Sequence, residues 1–278
     1  MTGAAGFAGK HLCAALRQRG HEVIAAGHNA ECPVDFRLLE LVAELFSDTN
    51  PDVVFHLAGT SSVAQMRQGP ADTQTENIVH PLLNVLECAG KRRVLYVSTC
   101  HVYGAGPTDE SAPMRPTELY GAARASAEAM ARRHVHKGGD VVIARAFHHT
   151  GPGQDRRFAL SDWAHRYAAG ERQLPVGNLD VRRDYFDVRD AVGGYVILAE
   201  QGAAGQAYNL CSGTSRTMAE LFGILCPGAE PVIDSSRQRG KEVPLIEGSP
   251  ARVEALGWTR RFSIEQTLGD LRGWAAGE

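Results

Sequence analysis

The feature that most constrains this chain is a rhythm. Short β-branched runs, HEVIAA (21–26), PDVVFHLAG (51–59), RRVLYVST (92–99) and DVVIARAF (140–147), alternate with longer stretches of helical periodicity: KHLCAALRQRG, FRLLELVAELFSD, ENIVHPLLNVLECAG and ELYGAARASAEAMARRHV. Strands joined through helices run parallel, and a parallel sheet is covered by those helices on both faces. The pattern therefore predicts an α/β fold with a doubly wound parallel sheet over residues 1–150. After residue 150 the rhythm gives way to Gly/Pro-rich loops, GPGQ (151–154) and LPVGNLD (174–180), and to shorter helical patterns. Residues 151–278 are expected to form a smaller substrate-binding region over the carboxyl edge of the sheet, with part of 176–213 packing back on it.

Composition narrows the partners. The 278 residues are 44% hydrophobic, enough for a substantial core, and carry a net charge of −3 from 29 basic and 32 acidic residues with no basic run. Nothing here suits nucleic acid or an acidic membrane surface, so a small-molecule ligand is expected. The six cysteines (Cys13, Cys32, Cys88, Cys100, Cys211, Cys226) show no C-x-x-C pair and no Cys/His spacing suited to zinc. They read as reduced thiols, and no metal is expected. With no apolar run of membrane-spanning length and no apolar N-terminal signal segment, the expected location is the cytoplasm.

At the start, TGAAGFAG (2–9) places Gly3, Gly6 and Gly9 three apart before a helix. Glycines so placed let the backbone turn sharply and bring amide N–H groups against a pyrophosphate at the helix N-terminus, where the helix dipole favours negative charge. Such a Rossmann turn follows a strand, yet only Met1 and Thr2 precede Gly3, against a usual strand of ~5 residues. That first strand is central to the sheet. Either it lies upstream of this sequence, or it is missing or truncated and leaves a gap of about one strand spacing, ~4.8 Å. At the end of the second strand, AAGHNAE (25–31), an NAD-preferring site would carry Asp or Glu for the ribose hydroxyl. The chain has Gly27 there, followed by His28 and Asn29, which favours NADPH over NADH.

TGAAGFAG, FHLAG (55–59), YVSTCHVYG (96–104), YGAAR (120–124) and ARAFHHTGPGQ (144–154) together resemble the extended short-chain dehydrogenase/reductase family. The segment 176–213 narrows the resemblance to the nucleotide-sugar epimerase/dehydratase branch, nearest its GDP-4-dehydro-6-deoxy-D-mannose reductases. The resemblance implies a cofactor site of Gly3, Gly6, Phe7, Ala8, Gly9, His28, Asn29, Asp35, Leu57, Ala58 and Gly59, together with Tyr120 and Arg124. It implies catalysis by Thr99, Tyr120 and Arg124, with Tyr120 giving its proton to a carbonyl oxygen that Thr99 also hydrogen-bonds while hydride arrives from the nicotinamide. On the substrate side it implies Ser61, His101, His148, Arg183 and Arg239.

The departures from the family pattern are as informative. Arg124 stands where the family has lysine; a guanidinium can hold ribose oxygens but stays protonated and cannot readily return a proton. His101 stands where the dehydratases of this branch carry a glutamate, so reduction is expected rather than dehydration. His148 replaces the asparagine of the family's R-P-F-N-H segment, Ala146 replaces its proline, and RQRGKE (237–242) lacks the proline and acid of R-x-R-P-x-D. Three functions remain open: an NADPH-dependent reductase of a nucleotide-linked 4-keto-6-deoxy sugar, a ketoreductase of a natural-product ketone such as an aromatic polyketide, and a non-catalytic NADPH-binding protein. Relatives pair through two long helices, here around 76–90 and 118–136, so a homodimer is also implied.

Overall fold

Four parallel strands in the order Ala207–Leu210, Asp140–Ala146, Arg93–Thr99, Val53–His56 form the centre of the computed structural model, which describes residues 1–59, 70–238 and 242–278. Next to Val53–His56 comes Thr2, which bridges His56 on one side and Ala26 on the other; Ala26–Gly27 then pairs with Cys32–Pro33. The sheet is thus doubly wound, and its order reverses between Thr2 and Val53–His56, the place where such sheets bind ligands.

The first strand is present as this one bridging residue. Its shortness explains a departure from the sequence pattern: of the run 21–26 only Ala26 is in a strand. A ladder needs a partner, and 21–25 are instead held by His21 N–H donating to the Leu16 carbonyl at 3.1 Å, the Met1 amino group donating to the Ile24 carbonyl at 2.7 Å and Cys32 N–H donating to the Ala25 carbonyl at 2.9 Å. A slot lined by Ile24, Phe36, Leu45, Phe46 and Val53 lies beside Met1 and Thr2.

Side chains along the central strands alternate between two helix layers, as a period of two requires. Val94, Tyr96, Val141 and Ile143 pack with Ile78 and Leu82 of helix Ala71–Ala89 and Tyr120, Ala123 and Ala127 of helix Leu119–His136. Leu95, Val142 and Ala144 face the other way, onto Leu12 and Leu16 of Phe7–Gln18 and Val192, Tyr195 and Leu198 of Val188–Gln201. The strands are therefore buried on both faces and read as continuous apolar runs.

A third core joins the helices Ala159–Ala168, Met218–Leu225 and Ile264–Ala275 through Trp163, Phe222 and Leu268. Two of these helices begin with reciprocal capping boxes, Thr217 with Glu220 and Ser263 with Gln266. Asp187, fully buried, caps Val188–Gln201 by accepting from Arg189 N–H at 2.7 Å and also takes the Thr267 hydroxyl at 2.7 Å, tying the third core to the sheet. No helix among the described residues is long and apolar enough to cross a membrane.

Candidate active site

The glycine turn has the shape its sequence suggests. Gly3 adopts φ 69°, in the left-handed region, and a Cβ there would lie 2.8 Å from the Ala58 nitrogen. A Cβ on Gly9 would overlap the Gly3 carbonyl oxygen, so the helix can start this close to the sheet only with glycine at that position. Gly6 donates its N–H to Gly3 O at 3.1 Å, and helix Phe7–Gln18 begins with Phe7 and Ala8, whose amides in the first turn have no partner within the helix. Across the switch point, Ala58 N–H donates to Thr2 Oγ1 at 3.1 Å, and that hydroxyl also meets His56 Nδ1 at 3.0 Å. Leu57, Ala58 and Gly59 are thereby fixed opposite the turn. This open cradle, which side chains would fill, fits a dinucleotide pyrophosphate.

His28 and Asn29 are exposed in the turn after Ala26–Gly27, where the sequence expects the ribose to be read. Asp35 lies nearby and is bonded at 2.6 Å by Arg37, whose hydrogen bonds hold the Asp35 carboxyl down at about 2. Arg37 was not singled out from sequence; the D-x-R spacing in VDFR is its signal.

Thr99 ends its strand almost fully buried, and its hydroxyl accepts the His101 N–H at 3.3 Å. Tyr120 and Arg124 lie one turn apart on Leu119–His136, 7% and 4% exposed. Arg124 does not point to solvent. It donates to Val97 O at 3.2 Å and Tyr96 Oη at 3.4 Å, and its guanidinium carbon lies 5.5 Å from the Tyr120 ring centre. Burial opposes its charge, but Tyr120 and Tyr96 more than offset this, raising its pKa, so the cation is permanent. A Cβ on Gly59 would come within 3.6 Å of this guanidinium, which places Arg124 between the cofactor cradle and Tyr120.

From Tyr120 a line of rings crosses the cleft. His101 is edge-on to Tyr120 at 5.6 Å and to His148 at 5.5 Å, and His148 meets Tyr185 at 5.1 Å. His148 and Tyr185 are opposite each other in a short parallel pair, and Arg183 is two residues ahead of Tyr185. Cys100 Sγ joins this group: its sulfur and ring nitrogens of His101 and His148 lie within 4.8 Å of one another, a proximity that linear spacing did not show. Burial pushes the Cys100 thiol up to about 12. Ser61 and Arg239 lie outside the described residues.

Behind the site is a buried network that the sequence did not reveal. Glu128, one turn beyond Arg124, takes a bidentate bond from Arg145, at 2.7 Å at its shortest, and the Ser98 hydroxyl at 2.7 Å. Arg145 also donates to Tyr103 Oη at 2.7 Å, which donates to Asn209 Oδ1 at 2.7 Å. The network pins strand Arg93–Thr99 and strand Asp140–Ala146 to helix Leu119–His136 through Ser98, Arg145 and Glu128. The signal in the sequence is an acid on the helix face that carries Arg124, four residues on.

A model of the NAD dependent epimerase/dehydratase family matches residues 1–211. The chain is 35% identical to a GDP-6-deoxy-D-mannose reductase of Pseudomonas aeruginosa, covering 96% of this chain and 93% of that protein. It is 26% identical to a UDP-glucose 4-epimerase of Corynebacterium glutamicum, covering 96% and 92%. The solved structure of RMD from Pseudomonas aeruginosa complexed with NADPH superposes with a TM-score of 0.88 at 29% identity, covering 99% of this chain and 97% of that one. Sequence match and cradle geometry agree: the chain belongs to the NAD dependent epimerase/dehydratase family and is an NAD(P)-dependent enzyme of oxidoreductase type.

Proposed function

We propose that the protein is an NADPH-dependent reductase that converts the ketone of a nucleotide-linked 4-keto-6-deoxy sugar to an alcohol. The observation that carries this reading is the placement of Arg124, buried between Gly59 and the Tyr120 ring with Thr99 at the end of the neighbouring strand. The similarity to a GDP-6-deoxy-D-mannose reductase and to a structure holding NADPH supports it.

In this reading Gly3, Gly6 and Gly9 leave room for the pyrophosphate and the N-terminus of helix Phe7–Gln18 neutralises it. Leu57, Ala58 and Gly59 line the opposite wall. The turn after Ala26–Gly27 presents His28 and Asn29 in place of an acid, and Arg37 adds a cation for a 2′-phosphate. The bound nicotinamide supplies the hydride. Thr99 and Tyr120 hold the substrate oxygen, and Tyr120 passes its phenolic proton to it. Arg124 orients the nicotinamide ribose and stays charged throughout, so the proton that refills Tyr120 comes from another group or from water. The absence of a carboxylate at His101 removes the base a dehydration would need. Residues 151–278 add Arg183 and Tyr185 to the substrate wall begun by Thr99, His101 and His148. Two copies pair through helices Ala71–Ala89 and Leu119–His136, where Leu83 is left exposed.

One observation favours a second substrate class. The ring line of His101, His148 and Tyr185 gives the substrate wall an aromatic lining where a diphosphate contact is expected, and this suits a flat aromatic ketone. An acidic phenol on such a substrate could supply the proton itself. Replacing Tyr120→Phe separates the two: turnover falls at least ~100-fold if Tyr120 is the acid, whereas near-normal turnover would transfer the proton donation to the substrate.

A further inference from the structure

Three soft or borderline donors meet at the floor of the cleft. Cys100 and His101 come from the 3-10 turn that follows strand Arg93–Thr99, and His148 opens the strand His148–Thr150. The sulfur and the two ring nitrogens lie within 4.8 Å of one another, with Cys100 2% exposed and both imidazoles half-buried. A thiolate with two imidazoles is a donor set that suits zinc and cobalt(II). A tetrahedral ion with bonds of about 2.0–2.3 Å holds its ligand atoms roughly 3.5 Å apart. The cluster therefore has to contract by about an ångström, which rotation of two half-buried rings can provide.

We propose that Cys100, His101 and His148 form a binding site for a thiophilic divalent ion, Zn²⁺ being the physiological candidate, with the fourth coordination position open to the cleft. On binding, a Zn–S bond forms as the Cys100 thiol releases its proton to solvent, and two Zn–N bonds form to neutral imidazoles. No electron transfer is involved. His148 stands where the chain departs from the family's R-P-F-N-H segment, and His101 stands where the dehydratases of the branch carry a glutamate. An ion held here draws His101 and His148 away from the substrate and fills the space next to Tyr120, so it inhibits the enzyme.

Cobalt(II) provides the readout, with neither substrate nor cofactor present, so a failure here leaves the reductase reading untouched. Added to the metal-free, reduced protein, Co²⁺ should bind at one equivalent per chain with tetrahedral d–d bands and a thiolate-to-cobalt charge-transfer band, both lost on adding Zn²⁺. Cys100→Ser should remove the charge-transfer band. His148→Asn should keep the band but weaken Zn²⁺ at least tenfold, and it decides the matter if Cys100→Ser does not fold. No charge-transfer band in the wild-type protein, the same band in Cys100→Ser, or unchanged Zn²⁺ affinity in His148→Asn would overturn the site.

Discussion

The two walls of the cleft are built by different means. In the proposed reading the pyrophosphate end of the cofactor wall is shaped by backbone, with Gly3 in the left-handed region and Gly9 against the Gly3 carbonyl, and Arg124 is the side chain set beside Gly59. The substrate wall proposed above is made instead of side chains at or next to strand ends, Thr99, His101, His148, Arg183 and Tyr185. A backbone cradle tolerates no added atoms, so it reads the same as in the family. A side-chain wall can be recast one residue at a time without disturbing the sheet, and there the chain carries His101 and His148. In that reading the pyrophosphate is recognised by conformation and the substrate by side-chain chemistry.

The largest effect that tests this division belongs to Gly9. Gly9→Ala forces the helix off the turn, an overpacking that costs ~1–3 kcal/mol of stability, and NADPH affinity measured by fluorescence should fall at least ~100-fold because the N–H cradle is displaced. Retained binding would show that the turn is not a pyrophosphate cradle. Next is Arg124→Met, which removes charged hydrogen bonds worth ~2 kcal/mol, so NADPH should bind roughly thirtyfold more weakly, with Arg124→Lys restoring most of it. An equal loss in both variants would mean that the arginine fork, not the charge, does the holding.

Smaller effects follow on the substrate wall. His148→Asn should change substrate KM by about tenfold, within the few kcal/mol of one polar contact, while the NADPH Kd stays the same. A matching change in cofactor affinity would break the separation of the two walls. The smallest concerns His56 beneath the cradle, whose pKa is lowered from 6.5 to about 3 by burial and then by the Arg124 charge. The unfolded chain takes up this proton below its ordinary pKa of 6.5 and the folded chain does not until about 3. This contribution to stability is complete above the first value and is lost as pH falls toward the second. His56→Gln should therefore flatten the fall in melting temperature between about pH 7 and about pH 5, and an unaltered slope would remove His56 from the account.

What the sequence made legible follows from what is local. The strands Arg93–Thr99 and Asp140–Ala146, the glycine turn before a helix, and the positions of Thr99 at a strand end and of Tyr120 and Arg124 on one helix follow from short segments. The strand run 21–26 shrank to Ala26–Gly27 because its partner is Thr2, a tertiary fact that β-propensity does not contain. The Glu128–Arg145–Tyr103–Asn209 network and the meeting of Cys100 with His148 join residues far apart in sequence, so no spacing rule reports them. Arg37 sat beside Asp35 in plain view, but their pairing shows only in the fold.

The central claim, hydride delivery from NADPH to a ketone on this aromatic-lined wall, is tested most directly by following NADPH absorbance with the purified enzyme. GDP- and TDP-linked 4-keto-6-deoxy sugars would be assayed beside a panel of aromatic ketones. The account predicts saturable NADPH oxidation with a nucleotide-linked keto sugar, lost in Tyr120→Phe. Saturable oxidation with aromatic ketones alone would move the substrate to the second class, and NADPH that binds but is oxidised by no ketone of either class would contradict the account.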